Sequence, residues 1–270
     1  MPLAALQQAL AEAGEGRLVD DLLAAALADM RASRHPFEAE LEGCLLLASL
    51  VEELTADVEG DDDGPSTDDV VERPIQQQVN ALVALLLSAA EQEGSPDDAG
   101  LLRVLSTLLG GRGADTAKAA AERLVAAGVS LPRWAAPAGR PAVERVWCYR
   151  DTLGVQESIV VEFAYGHRQH AMSVLIDHEL GGGVKDVWFT EGRDVARLRS
   201  DYASASATEP ITEVLDLGPA EAAARLQRAL EHPPCPEQPD QAEDVVRFLP
   251  LLRSRAAWLT EATAEVTPAP

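Results

Sequence analysis

The sequence predicts an α+β protein: a helical N-terminal half of about six antiparallel helices, then a four-stranded antiparallel β-meander covered by C-terminal helices. Three observations lead there. Apolar residues recur at helical spacing through the first 130 residues, in a chain rich in Ala and Leu where aromatic residues make up only 4%. Between Val143 and Glu191 the apolar period falls to two, and three of the five histidines lie in that stretch. The connections between these β-prone runs are too short for parallel crossovers.

The elements follow in order. Residues 3–13 and 18–31 read as two short helices broken at Gly14 and Gly16. Pro36 suits the first turn of a third helix through FEAELEGCLLLASLVEEL, whose Glu38, Glu40 and Glu42 sit near the positive end of the helix dipole. Residues 52–72 contain no Lys or Arg and read as a solvated acidic loop. Glu59, Asp61, Asp63 and Gly64 match the start of a calcium loop, but Val70 stands where the bidentate Glu belongs, so this is not an EF-hand. A very apolar helix is expected after Pro74, ended by Gly94-Ser95-Pro96. Ser95 or Asp97 caps the next, LLRVLSTLL, and Asp115 caps TAKAAAERLVAAG. The glycines of GGRG lack the order of a phosphate loop and follow a helix instead of a strand, so they read as a helix end and a fresh start.

The Pro- and Ala-rich residues 131–142 form a connector. Strands are expected at 143–150, 158–165, 170–177 and 184–190, with Ile159, Val161, Phe163 and Tyr165 facing inward. Asp194 is expected to cap VARLRSDYA, residues 211–217 to form an edge strand or loop, and Gly218-Pro219 to start AEAAARLQRAL. HPPCPEQPDQ is a stiff link, and a last helix is kinked or split at Pro250. The domain reading is thus helical 1–130, connector 131–142, α+β 143–260, and a frayed tail 261–270.

Charge narrows the function classes. The net charge is -23, with 24 acidic and 8 basic residues in 1–130 (net -16) and 21 and 14 in 131–270 (net -7). Such a surface repels phosphate backbones and anionic headgroups, so neither direct nucleic-acid nor membrane binding is expected. MPLAALQQALAEAGEG lacks the basic stretch and apolar core of a signal peptide, and no apolar run reaches the roughly 18 residues of a membrane span, which predicts a cytoplasmic protein. The Ala, Arg and Gly usage resembles that of proteins from high-GC bacteria. Cys44, Cys148 and Cys235 form neither a disulfide framework nor a metal motif, and no cofactor is implied. Trp134, Trp147, Trp188 and Trp258 read as core or interdomain anchors. Arg193, Arg197 and Arg199 make the most basic short stretch.

The candidate site is the segment from Asp177 to Asp186, DHELGGGVKD. Gly181, Gly182 and Gly183 supply positive φ or let a backbone or ligand approach closely. As a catalytic constellation, His178 would exchange protons, oriented by Asp177 or Glu179, with Lys185 stabilising negative charge. His170 and Asp186 flank it as candidate binding residues, and Ser173 and Cys148 are the nearest nucleophiles, neither in an activating motif. His170 and His178 lie eight residues apart on one strand, roughly 26 Å, so they cannot share a metal ion, and no metal site is expected. The structural alternative, which we favour on sequence grounds, is a wide turn with Asp177 and His178 bonding to loop backbone and Lys185 pairing with Asp186 or Glu179. The leading expectation is therefore a non-enzymatic interaction or regulatory module whose protein partner docks near the glycine loop or on the helical half. A hydrolase or transferase centred on Asp177 and His178 is the alternative, and an acidic mimic of nucleic acid the third.

Overall fold

A computed structural model describes residues 24, 27–29, 32–56 and 68–266 of the chain. The first expected helix, all of the second except residues 24 and 27–29, which are helical, and most of the acidic loop, including Glu59, Asp61, Asp63 and Gly64, lie outside the described residues. The chain divides into two compact units, 1–138 and 139–270.

In the first unit, helices α1 (Pro36–Ala56), α2 (Asp68–Glu93), α3 (Pro96–Leu108) and α4 (Gly111–Ala126) follow one another. Their core is aliphatic: Leu50, Leu82, Leu86, Leu101, Leu102 and Leu105 are almost fully buried, with Phe37 the one large ring among them. Small residues set the helix spacing. A Cβ added at Gly43 of α1 would lie 2.7 Å from Leu108 and 2.9 Å from Val104, so α1 approaches α3 closely there. At Gly100 the crowding comes from Pro132 and Trp134, so the 131–138 segment packs onto α3 instead of running free.

Ser95 caps α3 as expected, and does so as a full capping box: its hydroxyl accepts from Asp98 N–H while the Asp98 carboxylate accepts from Ser95 N–H. Two expectations in this unit need correction. Helix α2 begins at Asp68 and runs through Pro74, because a 26-residue helix absorbs the one backbone bond that proline removes. Asp115 is not a cap: α4 starts at Gly111, with Gly110 at the N-cap. Gly111, at φ 49°, turns the chain into the helix one turn earlier than a side-chain cap would.

The second unit opens with four antiparallel strands joined in sequence, β1 (Ala142–Asp151), β2 (Gln156–Tyr165), β3 (Arg168–Asp177) and β4 (Gly183–Glu191). A 3-10 turn at Gly192–Asp194 leads into α5 (Val195–Thr208). Strand β5 (Thr212–Asp216), helix α6 (Pro219–Leu230) and helix α7 (Pro239–Val266) complete the unit. The sheet therefore has five strands instead of four, in the order β4-β3-β2-β1-β5, with the edge-strand alternative for 211–217 realised against β1.

One face of the sheet carries Val146, Ile159, Val161, Phe163, Met172 and Val174. It is covered by Ala222, Ala223 and Leu226 of α6 and by Val245, Leu252, Ala256 and Leu259 of α7, whose spacing makes a helical stripe. The other face is covered as well. Trp147, Val160 and Ala171 pack there against Val195, with Leu198 and Tyr202 of α5 alongside. Glu162 on that face is buried but satisfied, accepting a hydrogen bond from Trp147 Nε1 at 2.9 Å. Two further details differ from expectation. Asp194 makes no side-chain cap bond, since the 3-10 turn already carries the chain into α5. Helix α7 is not split at Pro250, which lies inside it, and it extends to Val266, beyond the fraying expected after Thr260. Trp147 is fully buried, while Trp134, Trp188 and Trp258 are partly exposed.

Candidate functional site

The candidate residues gather at the end of the sheet where β1, β3 and the starts of β2, β4 and β5 meet. Asp177, the last residue of β3, is only 2% exposed. Its Oδ1 accepts from the backbone N–H groups of Glu179 and Leu180, both at 3.0 Å. Its Oδ2 accepts from Gln156 Nε2 at 2.6 Å and from Lys185 Nζ at 3.0 Å. The Asp177 carbonyl closes the loop by accepting from Gly182 N–H. Burial alone would raise this carboxyl; the bonds from Lys185, Leu180 and Gln156 outweigh it and hold the group below the usual carboxylate range.

Lys185 reaches Asp177 because of a bulge. In the β3–β4 ladder Leu175 faces Asp186 while Ile176 faces Val184, which leaves Lys185 as an extra residue in β4. Its ammonium is shared between Asp177 at 3.0 Å and Glu237 at 2.9 Å. Burial works to lower its pKa, but the two carboxylates prevail and raise it above the ordinary lysine value. Sequence reasoning paired Lys185 with Asp186 or Glu179 on the surface. The bulge, invisible to a period-of-two reading, sends it inward instead.

His178 does not join this pair. Its backbone N–H donates to the Val155 carbonyl at 2.8 Å, tying the β3–β4 loop to the β1–β2 turn. Its Nε2 lies 3.3 Å from Glu157 Oε1. Glu157 is buried and takes a 2.5 Å contact from Arg225 of α6, which also bridges to Glu221. His178, Glu157, Arg225 and Glu221 thus form a chain across the sheet end. Nothing in the local sequence signals it, because its members come from β2, the loop and α6.

The glycines divide the work. Gly181 and Gly182 have φ of 106° and 80°, which only glycine adopts without strain. Gly183 needs glycine for space: an added Cβ would lie 2.0 Å from the Pro233 carbonyl oxygen. The proline-rich segment after α6 runs against the start of β4 there, with Cys235 N–H donating to the Val184 carbonyl at 2.9 Å.

The remaining candidates lie apart. His170 is buried towards the other end of β3, stacked near Phe163 and Tyr165 with ring centroids 5.5 and 5.8 Å away. Asp186 is partly buried, and its Oδ1 accepts from Val187 N–H. Burial, with Asp244 and Asp240 nearby, raises its pKa. Ser173 and Cys148 are fully buried, and burial pushes the Cys148 thiol up, away from the reactive thiolate. Arg199 pairs with Asp216 at 2.9 Å. Among the described residues no group of three His, Cys, Asp or Glu side chains is placed to hold a metal ion, and no helix is long and apolar enough to cross a membrane.

Sequence reasoning missed the outer surface of this site. Leu153 in the β1–β2 turn is 76% exposed, Leu180 in the glycine loop 48%, and Ile211 before β5 57%. The loops that carry them are neighbours, since Thr152 N–H donates to the Ile211 carbonyl at 2.7 Å and His178 N–H to Val155. The Leu153 turn is built on Asp151, whose carboxylate accepts from the N–H groups of Leu153, Val155 and Gln156 at 2.8, 3.0 and 2.5 Å. An Asp opening a D-T-L-G turn is the signal that could have found it. Compared with protein-family models, curated proteins and solved structures, the chain finds no match.

Proposed function

We propose that this protein is a non-enzymatic interaction module that docks a protein partner on the loop end of its sheet. The observation that carries this reading is the grouping of Leu153, Leu180 and Ile211, three large apolar side chains left in solvent on adjacent loops. Isolated apolar residues on a surface need no explanation, but these three share one end of one sheet. Their loops are also held in place. Asp151 gathers three backbone amides under Leu153, and Asp177 gathers two beside Leu180. A preset apolar surface loses little conformational entropy on binding, which favours recognition. The polar groups beneath it serve that end: both Asp177 oxygens are engaged and Lys185 is shared by two carboxylates, so neither is poised to carry a proton near neutral pH.

The test is site-specific photo-crosslinking in living cells, with a benzophenone side chain placed at position 153, 180 or 211 and, as a control, at exposed Val125. One common crosslinked polypeptide from the three loop positions, missing from the control and lost when a second loop position is changed to Asp, is the expected result. A control position that captures the same polypeptide, or loop positions that capture none, would overturn the reading.

A further inference from the structure

The chemistry of the partner follows from the charges set around those apolar tips. Residues 151–156 (DTLGVQ), 178–182 (HELGG) and 208–212 (TEPIT) contain Asp151, Glu179 and Glu209 and no Lys or Arg. Each carboxylate lies within two residues of one exposed apolar side chain: Asp151 beside Leu153, Glu179 beside Leu180, Glu209 beside Ile211. The nearest cations below the loops are already matched. Arg150 pairs with Glu213 at 2.7 Å, and Arg225 is held between Glu157 and Glu221. The backbone N–H groups of Gln156 and Val155 hold the Asp151 carboxyl below the usual range. Each exposed apolar side chain is therefore flanked in sequence by a carboxylate, on loops that carry no Lys or Arg.

Resting on the docking reading above, we infer that the occupant is a cationic apolar segment of a partner protein, its apolar side chains on Leu153, Leu180 and Ile211 and its Lys or Arg side chains facing Asp151, Glu179 and Glu209. Charge complementarity selects it. A second copy of this chain docking tip to tip would bring the same three carboxylates against each other. An anionic lipid surface is repelled for the same reason.

The experiment uses the full chain and two synthetic probes, an amphipathic leucine–lysine peptide and its leucine–glutamate counterpart, with affinity read by fluorescence anisotropy. Because the whole chain is acidic, charge attraction elsewhere must be separated from binding at the tips. The variant L153S/L180S/I211S leaves the charge untouched and is expected to weaken the lysine peptide at least about tenfold, from the lost apolar contacts. V125S/V246S, at exposed apolar positions elsewhere, is expected to leave it within about twofold. E179Q/E209Q should weaken it severalfold, D201N/E231Q much less, and the first effect should fade as salt rises from about 50 to 300 mM. Equal losses at tip and control positions, or equal binding of the glutamate peptide, would overturn the inference. Crosslinks at the loop positions alongside a lysine peptide that ignores them would leave the docking reading standing and sink this one. Absence of crosslinks would remove the docking reading itself.

Discussion

Lys185 Nζ lies 3.0 Å from Asp177 Oδ2, across a loop whose Glu179 and Leu180 amides both donate to the other oxygen of the same carboxylate. One buried acid therefore fixes the bulge in β4 and the backbone that presents Leu180. In Asp177→Asn, the carbonyl can still serve the two amides, but the new NH2 faces Gln156 and Lys185, both donors. The expected cost is about 2–4 kcal/mol, since a buried cation loses its better-buried partner. Lys185→Met leaves Asp177 with three donors and is expected to cost less, about 1–2 kcal/mol. Urea denaturation checks both. The double variant should cost clearly less than the two single losses added together, and strict additivity would count against coupling.

The same contact has a pH signature. The folded-state pKa of Asp177 is lowered, so its contribution is present above the unfolded carboxylate value and is lost as pH falls through the folded one. Asp151 acts in the same direction. Lys185 is raised, so its contribution is present below the unfolded lysine value and lost only as pH rises through the higher folded one. Urea midpoints measured from about pH 7 down to about pH 3 should therefore fall less steeply for Asp177→Asn than for the wild type. Parallel curves would mean that Asp177 is not held ionised by its partners.

The sequence carried the α+β order because glycine and proline punctuate it and because 158–165 alternates cleanly. Ser95 was legible as a cap since S-P-D-D places the hydroxyl and the carboxylate three residues apart, the distance a capping box needs. Asp115 was misread because a glycine can start a helix with no side chain to announce it. The cluster from Asp177 to Lys185 was visible as a dense local signal, but its pairing was not. The Lys185 contact depends on a one-residue bulge, and the partner of His178 sits 21 residues upstream in β2, braced by an arginine from α6. The exposed tips were invisible for another reason: Leu153, Leu180 and Ile211 look like ordinary apolar residues until their loops are brought to one end of a sheet.

Asp186 works against Asp177. Burial raises its pKa and the neighbouring Asp244 and Asp240 add to that, so its ionised form strains the folded state at neutral pH. Asp186→Asn keeps an oxygen to accept from Val187 N–H while removing the charge. It is expected to stabilise the protein at pH 7 by a few tenths to about 1 kcal/mol, discounted because the group is partly exposed. The sign follows from linkage: a carboxyl raised by folding favours the native state below its unfolded value and loses that benefit as pH rises. The gain should therefore vanish at about pH 3, and thermal midpoints at the two pH values would show it.

Gly183 and Gly181 separate two uses of glycine within one loop. Gly181 has φ 106° with open space where a Cβ would go, so Gly181→Ala is expected to cost backbone strain alone, about 1 kcal/mol. Gly183→Ala places a methyl group 2.0 Å from the Pro233 carbonyl oxygen, and the proline-stiffened segment must move. That movement pulls Cys235 from Val184 and draws Glu237 away from Lys185. The expected loss is about 2–3 kcal/mol. Hydrogen exchange at the Cys235 amide should quicken in Gly183→Ala and stay unchanged in Gly181→Ala. If the two variants cost the same and leave that amide equally protected, the segment after α6 yields freely and does not hold the Lys185 clamp closed.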